Sequence, residues 1–285
     1  MTILNQVSKT NTKKSLTTVQ NGAFVPRPLP GGLSIVVLGS VPPRSEVHNF
    51  ADEMFDFLFP INSPQLPQAS VRYAHLVDQL KHLLKPLAVD ADRVLDGFFA
   101  ALPILYDRLL EDAKAALAFD PAATGLEEVI AAYPGFYATA IYRLAHELVV
   151  LGVPLLPRMM SEYAHGKTGI DIHPAAQIGR AFVIDHGTGI VIGATARVGH
   201  HVRIYHGVTL GALQVDKSMA NIKRHPTVED HVTIYANATV LGGETVVGHH
   251  SVLGGNVWVT KSVPPHSQVF YGGKTIVRNR KNGHS

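Results

Sequence analysis

The sequence predicts an α+β chain: an all-helical N-terminal domain followed by a left-handed parallel β-helix of hexapeptide repeats. Two periodicities predict it. From about Val47 to His165 apolar residues recur at helical spacing, and from Ile170 onward aliphatic residues recur every six positions. The change of period at Ile170 places the domain boundary.

Residues 1–44 read as a disordered leader, rich in Ser, Thr, Asn, Pro and Gly and without an acidic residue. Residues 45–168 read as about six helices. Phe50, Met54, Phe57 and Leu58 form one apolar face, and Tyr73, Leu76, Leu80, Leu83 and Leu84 another. Runs at Val94–Leu117, Leu126–Val150 and Leu155–Ala164 follow, and Pro103 marks a break in the first.

Residues 169–265 carry the hexads. Ile172, Ile178, Ile184 and Ile190 make one register, Ile192, Val198, Ile204 and Leu210 a second, Val228, Ile234 and Val240 a third, and Leu241, Val247, Leu253 and Val259 a fourth. In such a repeat three short strands and three corners make one triangular coil of about eighteen residues, the aliphatic residue filling the axis. Small slips occur between Ile190 and Ile192 and between Val240 and Leu241, and the repeat is lost in an excursion loop over residues 212–226. Residues 266–285 form a tail.

Composition narrows the chemistry. With no cysteine in 285 residues, disulfides, thiolate metal sites and a cysteine nucleophile are excluded. The formal charge of +3 resides in the leader, whose Lys9, Lys13, Lys14, Arg27 and Arg44 leave the rest at −2, so no nucleic-acid partner is expected. No apolar stretch approaches the ~20 residues of a membrane span, and a cytoplasmic protein is expected, with organellar import through the acid-poor leader the other reading.

Reactive side chains gather in three segments: Gly169–Pro174 with Asp171, Ile184–Gly189 with Asp185 and His186, and Lys223–Pro226 with Arg224 and His225. Asp171 and His186 lie fifteen residues apart, a little under one coil, so stacking is expected to bring the carboxylate against the imidazole and make it a general base. His200, His201, His249 and His250 fall at turns and read as surface.

These segments, with Val208–Gly211, the Val263–Pro265 exit and the upstream Asp120–Ala122, Tyr133–Phe136, Tyr142–Arg143, His146–Glu147 and Ser161–His165, resemble the serine O-acetyltransferases of cysteine biosynthesis over roughly Asp120 to Pro265. The resemblance implies acetyl transfer from acetyl-CoA to L-serine by direct attack, with His186 and Asp171 as base and orienter and no metal. It implies Asp120 and Asp185 at the substrate ammonium, Arg224 and His225 at its carboxylate and the oxyanion, and acetyl-CoA along Gly211, Ala212, Ala236, Gly255 and Lys261. It further implies a trimer or a dimer of trimers and feedback inhibition by L-cysteine. The excursion runs Ala212–Leu213–Gln214 where relatives carry a glycine-rich stretch, and the tail ends without the isoleucine by which relatives enter O-acetylserine sulfhydrylase, so a stable complex with that enzyme is not expected. Three other readings stay open: acetyl transfer to a different hydroxyl or amine, a γ-carbonic-anhydrase-like zinc enzyme through His165, His201 and His206, and a non-catalytic scaffold.

Overall fold

The structure is a computed structural model describing residues 26–28, 34–36, 41–61, 69–214 and 222–273. It divides into a small N-terminal unit and a larger one from Pro42 onward. The small unit contains, within the expected disordered leader, an antiparallel ladder of β1 (Pro26–Pro28) and β2 (Ser34–Val36), with Pro26 opposite Val36.

Six helices open the larger unit. They are α1 (Arg44–Leu58), α2 (Ala69–Leu84), α3 (Ala91–Phe119), α4 (Leu126–Ala132), α5 (Pro134–Val150) and α6 (Leu156–Thr168). The expected faces are buried, except that Phe57 and Tyr73 stay partly exposed and pack on each other at 6.2 Å. One expectation is corrected, because α3 runs unbroken through Pro103. Proline there removes one backbone bond, and the burial of Phe98, Leu102, Leu105 and Leu109 along the same helix outweighs that loss.

Next, α5 joins the helical core to the repeat. Gly135 at its start is pressed so close to β5 (Val183–Asp185) that a Cβ would lie 2.5 Å from the Ile184 carbonyl oxygen. Further along, Tyr142 donates to the Ala176 carbonyl at 2.7 Å. Buried Arg143 donates to Asp112 of α3 at 2.6 and 2.9 Å and to the Gly179 carbonyl at 2.7 Å, while Asp112 also accepts from Phe182 N–H. This pair ties two helices to the first coil. On the other side of the bundle Asp52 accepts from Tyr137, Tyr163 and Lys167. Partial burial raises its carboxyl, but those hydrogen bonds outweigh it and hold the group below its ordinary value.

The repeat is a parallel three-faced solenoid. Face I stacks β3 (Asp171–Ile172), β6 (Val191–Ile192), β9 (Thr209–Gly211), β12 (Thr239–Leu241) and β15 (Trp258–Val259). Face II stacks β4 (Gln177–Ile178), β7 (Arg197–Val198), β10 (Thr227–Val228) and β13 (Val246–Val247). Face III stacks β5, β8 (Arg203–Tyr205), β11 (Thr233–Ile234), β14 (Val252–Leu253) and β16 (Gln268–Val269). Inward residues such as Ile172, Ile192, Leu210 and Val240 are at most 2% exposed. Along face I, Asp171 pairs with Val191, Val191 with Thr209, Thr209 with Thr239 and Thr239 with Trp258. Successive coils therefore take 20, 18, 30 and 19 residues, which converts the two slips and the excursion into corner insertions. The four histidines expected at the surface lie at the corner between faces II and III. There His201, His231, His250 and His266 stack at 4.8, 4.6 and 5.1 Å between ring centroids.

Candidate active site

The expected residues assemble in two groups, at the two edges of face I. The first occupies the corner between faces III and I, where the two-residue insertion lies. His186 takes a left-handed backbone (φ 58°) just after β5 and is largely exposed; its Nε2 is 3.8 Å from Asp185 Oδ1. Asp120 caps the C-terminus of α3 beside it. Its Oδ1 accepts from Ala122 N–H at 2.8 Å and its Oδ2 from the Tyr133 hydroxyl at 2.5 Å. The Tyr133 bond, then the backbone bond, hold the Asp120 carboxyl below its ordinary value, and Asp120 in turn pushes the Tyr133 phenol up to about 12. One coil above, the ring of His206 meets His186 edge to face at 5.6 Å, and its buried Nδ1 has no hydrogen-bond partner.

The second group occupies the corner between faces I and II, at the root of the excursion. His225 is buried there with its ring flat over Gly193, where a Cβ would come within 2.0 Å of Nε2. Its Nδ1 accepts from Thr195 N–H at 3.1 Å and lies 2.8 Å from Thr195 Oγ1, which itself accepts from the Arg224 and His225 N–H groups. That pattern assigns the ring proton to Nε2 and makes His225 a neutral donor. Burial first, then Arg224, His173 and Lys223, push its pKa down to about 4. Arg224 is half-buried, and its charge is felt by both His173 and His225.

No hydrogen bond or ion pair joins Asp171 to His186 among the described residues. Asp171 lies instead 3.7 Å from Arg158 of α6, beside Glu162 and His165. The reason is the lengthened first coil. Register places Val191, not His186, above Asp171, and His186 remains at the corner five residues earlier. The Glu162, His165 and Asp171 side chains could chelate a cation, but the Arg158 guanidinium is already paired with both carboxylates. The three histidines of the zinc reading are dispersed, with His165 on α6, His201 at the II–III corner and His206 at the III–I corner.

The expected acetyl-CoA positions divide in the same way. Ala236 and Gly255 lie on the III–I corner above His186, and Gly211, Ala212 and Lys261 on the I–II side with His225. Of the excursion, residues 215–221 lie outside the described residues, as do residues 274–285 with the C-terminal feature noted above. The sequence assigned no part in these two groups to Gly193, Thr195, Tyr133 or His206: Gly193 and Thr195 read as repeat positions, Tyr133 lay within the upstream resemblance, and His206 entered through the zinc reading alone.

A helical domain followed by a parallel three-faced solenoid defines the chain as a hexapeptide-repeat protein. Over 186 residues, covering 64% of this chain and 58% of that protein, the chain is 50% identical to a plasmid-encoded serine acetyltransferase of Synechococcus elongatus. It is 41% identical over 179 residues, 62% of this chain and 80% of the other, to the serine acetyltransferase of Bacillus subtilis. Among solved structures, serine acetyltransferase isoform 3 of Entamoeba histolytica in complex with cysteine superposes with a TM-score of 0.74 at 31% identity, covering 86% of this chain and 87% of that one. No family model matches the chain. The chain belongs to the serine acetyltransferase family. It spans 58% of the length of the Synechococcus elongatus relative and 48% of that of a serine acetyltransferase of Synechocystis sp.. No helix among the described residues is long and apolar enough to cross a membrane.

Proposed function

We propose that the chain transfers the acetyl group of acetyl-CoA to the hydroxyl of L-serine, giving O-acetyl-L-serine and CoA for cysteine synthesis. The observation that carries this reading is the division of two chemically complementary half-sites between the two edges of face I. Serine is a zwitterion. Asp120 and Asp185 at one edge suit its ammonium, and Arg224 at the other suits its carboxylate through a planar fork of donors.

His186 takes the hydroxyl proton as the serine oxygen attacks the thioester carbonyl, and returns it to the departing CoA thiolate. In this scheme Asp185, with Asp120 behind it, is the carboxylate at the base, and Asp171 balances Arg158 on the approach. The Nε2–H of His225, neutral because its pKa is so far depressed, donates to the developing oxyanion. Between His186 and Gly193 beneath His225 the chain makes a corner turn, closed by Ile190 N–H on the Gly187 carbonyl at 3.1 Å, and then runs along β6, a span on the order of 10–15 Å, so we infer that one chain does not close the site. A second copy presenting the opposite edge does, and Ala236 and Gly255 on one prism with Gly211, Ala212 and Lys261 on the next then wall a groove for the acetyl-CoA arm. The family resemblance makes that copy part of a trimer of prisms, alone or paired through the helices. L-cysteine, with the same ammonium and carboxylate, fits the same positions as an inhibitor.

The test is CoA release from acetyl-CoA with L-serine, compared with sugars and other amines, in wild type and His186→Ala. Serine-dependent release that falls by at least 10²-fold in the variant supports the reading. Release with another acceptor, or none from folded protein, rejects it.

A further inference from the structure

Between the C-terminal turns of α3 and the II–III corner of the first two coils lies a cleft of about 610 Å³ that acetyl transfer does not use. Its charged walls are Lys114 and Glu111 from α3, Arg180 from the first coil and Arg203 from β8, with His200 and His201 at the corner. Both oxygens of Glu111, the one carboxylate, accept from Arg180, through Nε at 2.5 Å and through Nη2. His200 Nδ1 accepts from Arg180 N–H at 3.1 Å, which puts the ring proton on Nε2 as a further donor. Lys114 makes no ion pair or hydrogen bond among the described residues. Ala115 and Ala118 leave the floor open. Three cations therefore face one carboxylate that is already engaged, and donors dominate the side chains of the walls.

We propose that this cleft binds a diphosphate-bearing ligand and regulates the serine site. A ligand rich in acceptors and poor in donors is its complement, and cations on opposite walls suit two linked phosphates better than one. The route to the serine site is short. The Arg203 guanidinium lies 4.4 Å over the ring of Phe119, the last residue of α3, and Asp120 follows it. Phe119 also meets Tyr205 edge-on at 6.0 Å, and Tyr205 pairs in register with Asp185. A diphosphate that draws Arg203 from Phe119 acts on the segment that holds both carboxylates.

The experiment is calorimetric titration of the full chain, in its native oligomer, with inorganic pyrophosphate and separately with ADP. Ionic strength is held constant, and the two cleft variants below separate this site from the donor groove. Saturable binding of one ligand per chain is expected, weakened at least tenfold in both Lys114→Glu and Arg203→Gln while their melting temperatures stay at the wild-type value. Tighter binding of ADP assigns a nucleotide source, and tighter pyrophosphate an inorganic one. Binding no stronger than that of sulfate, or unchanged in both variants, overturns the site. The regulatory part rests on the acetyl-transfer reading. Pyrophosphate should shift KM for serine at least threefold in wild type and not in Lys114→Glu, and a saturated site with an unmoved KM overturns it. A chain that binds pyrophosphate without acetylating serine refutes the acetyl-transfer reading and leaves the binding site standing.

Discussion

If the two edges of face I belong to different active sites within one chain, inactive variants should complement each other. His186→Ala removes the base at the III–I corner, and His225→Ala removes the donor at the I–II corner. The chain between these corners turns at Gly187–Ile190 and then runs along β6, a span on the order of 10–15 Å that is several times the reach of a proton transfer. Each homo-oligomer is then expected to lose at least 10²-fold in kcat. Mixing equal amounts, dissociating and reassembling distributes the chains at random. About one site in four then pairs the intact His186 of one chain with the intact His225 of another, and the mixture should regain about a quarter of wild-type activity. The assay is serine-dependent CoA release before and after reassembly, with each variant carried alone through the same cycle. Recovery confined to the mixture supports a site shared between copies. No recovery, from variants shown to form mixed oligomers by mass spectrometry of differently tagged chains, refutes the two-edge argument.

Three further outcomes are expected. Gly193→Ala places a methyl 2.0 Å from the His225 ring, which Thr195 holds in place. It should cost about 1–3 kcal/mol in urea unfolding and about 10²-fold in kcat/KM, and the stability cost should nearly vanish in a His225→Ala background. Asp112→Asn leaves buried Arg143 without its counter-charge and should destabilise the chain by about 3–5 kcal/mol, read from the denaturation midpoint. Because the folded-state pKa of His225 is depressed to about 4 against about 6.5 unfolded, its contribution to stability is fully present above pH 6.5. It is lost as pH falls from there towards 4, by about 2 kcal/mol between pH 7 and 5, and His225→Gln should remove that part of the pH slope.

The solenoid was legible because a stacked repeat writes its own geometry into the chain: Ile172, Ile192, Leu210 and Val240 recur at the period of the coil and all reach the axis. Where the period slips, the structure inserts corner residues, and the residues proposed for the chemistry lie beside those insertions. The same rule sets the relation of Asp171 to His186. Fifteen residues suggest contact between Asp171 and His186 only if the coil holds eighteen, and the two residues added beside His186 lengthen that coil to twenty. Pro103 failed as a breaker because burial along α3 exceeds the cost of one backbone bond. The supporting partners were hidden for a different reason. Thr195 reaches His225 across thirty residues and Asp112 reaches Arg143 across thirty-one, and neither distance is a multiple of a helical turn or an uninterrupted coil. A linear motif reports which side chains do chemistry, whereas the corner each one occupies depends on how many residues precede it in its coil. That count separates His186 from His225, which is why the proposed site draws on a second chain.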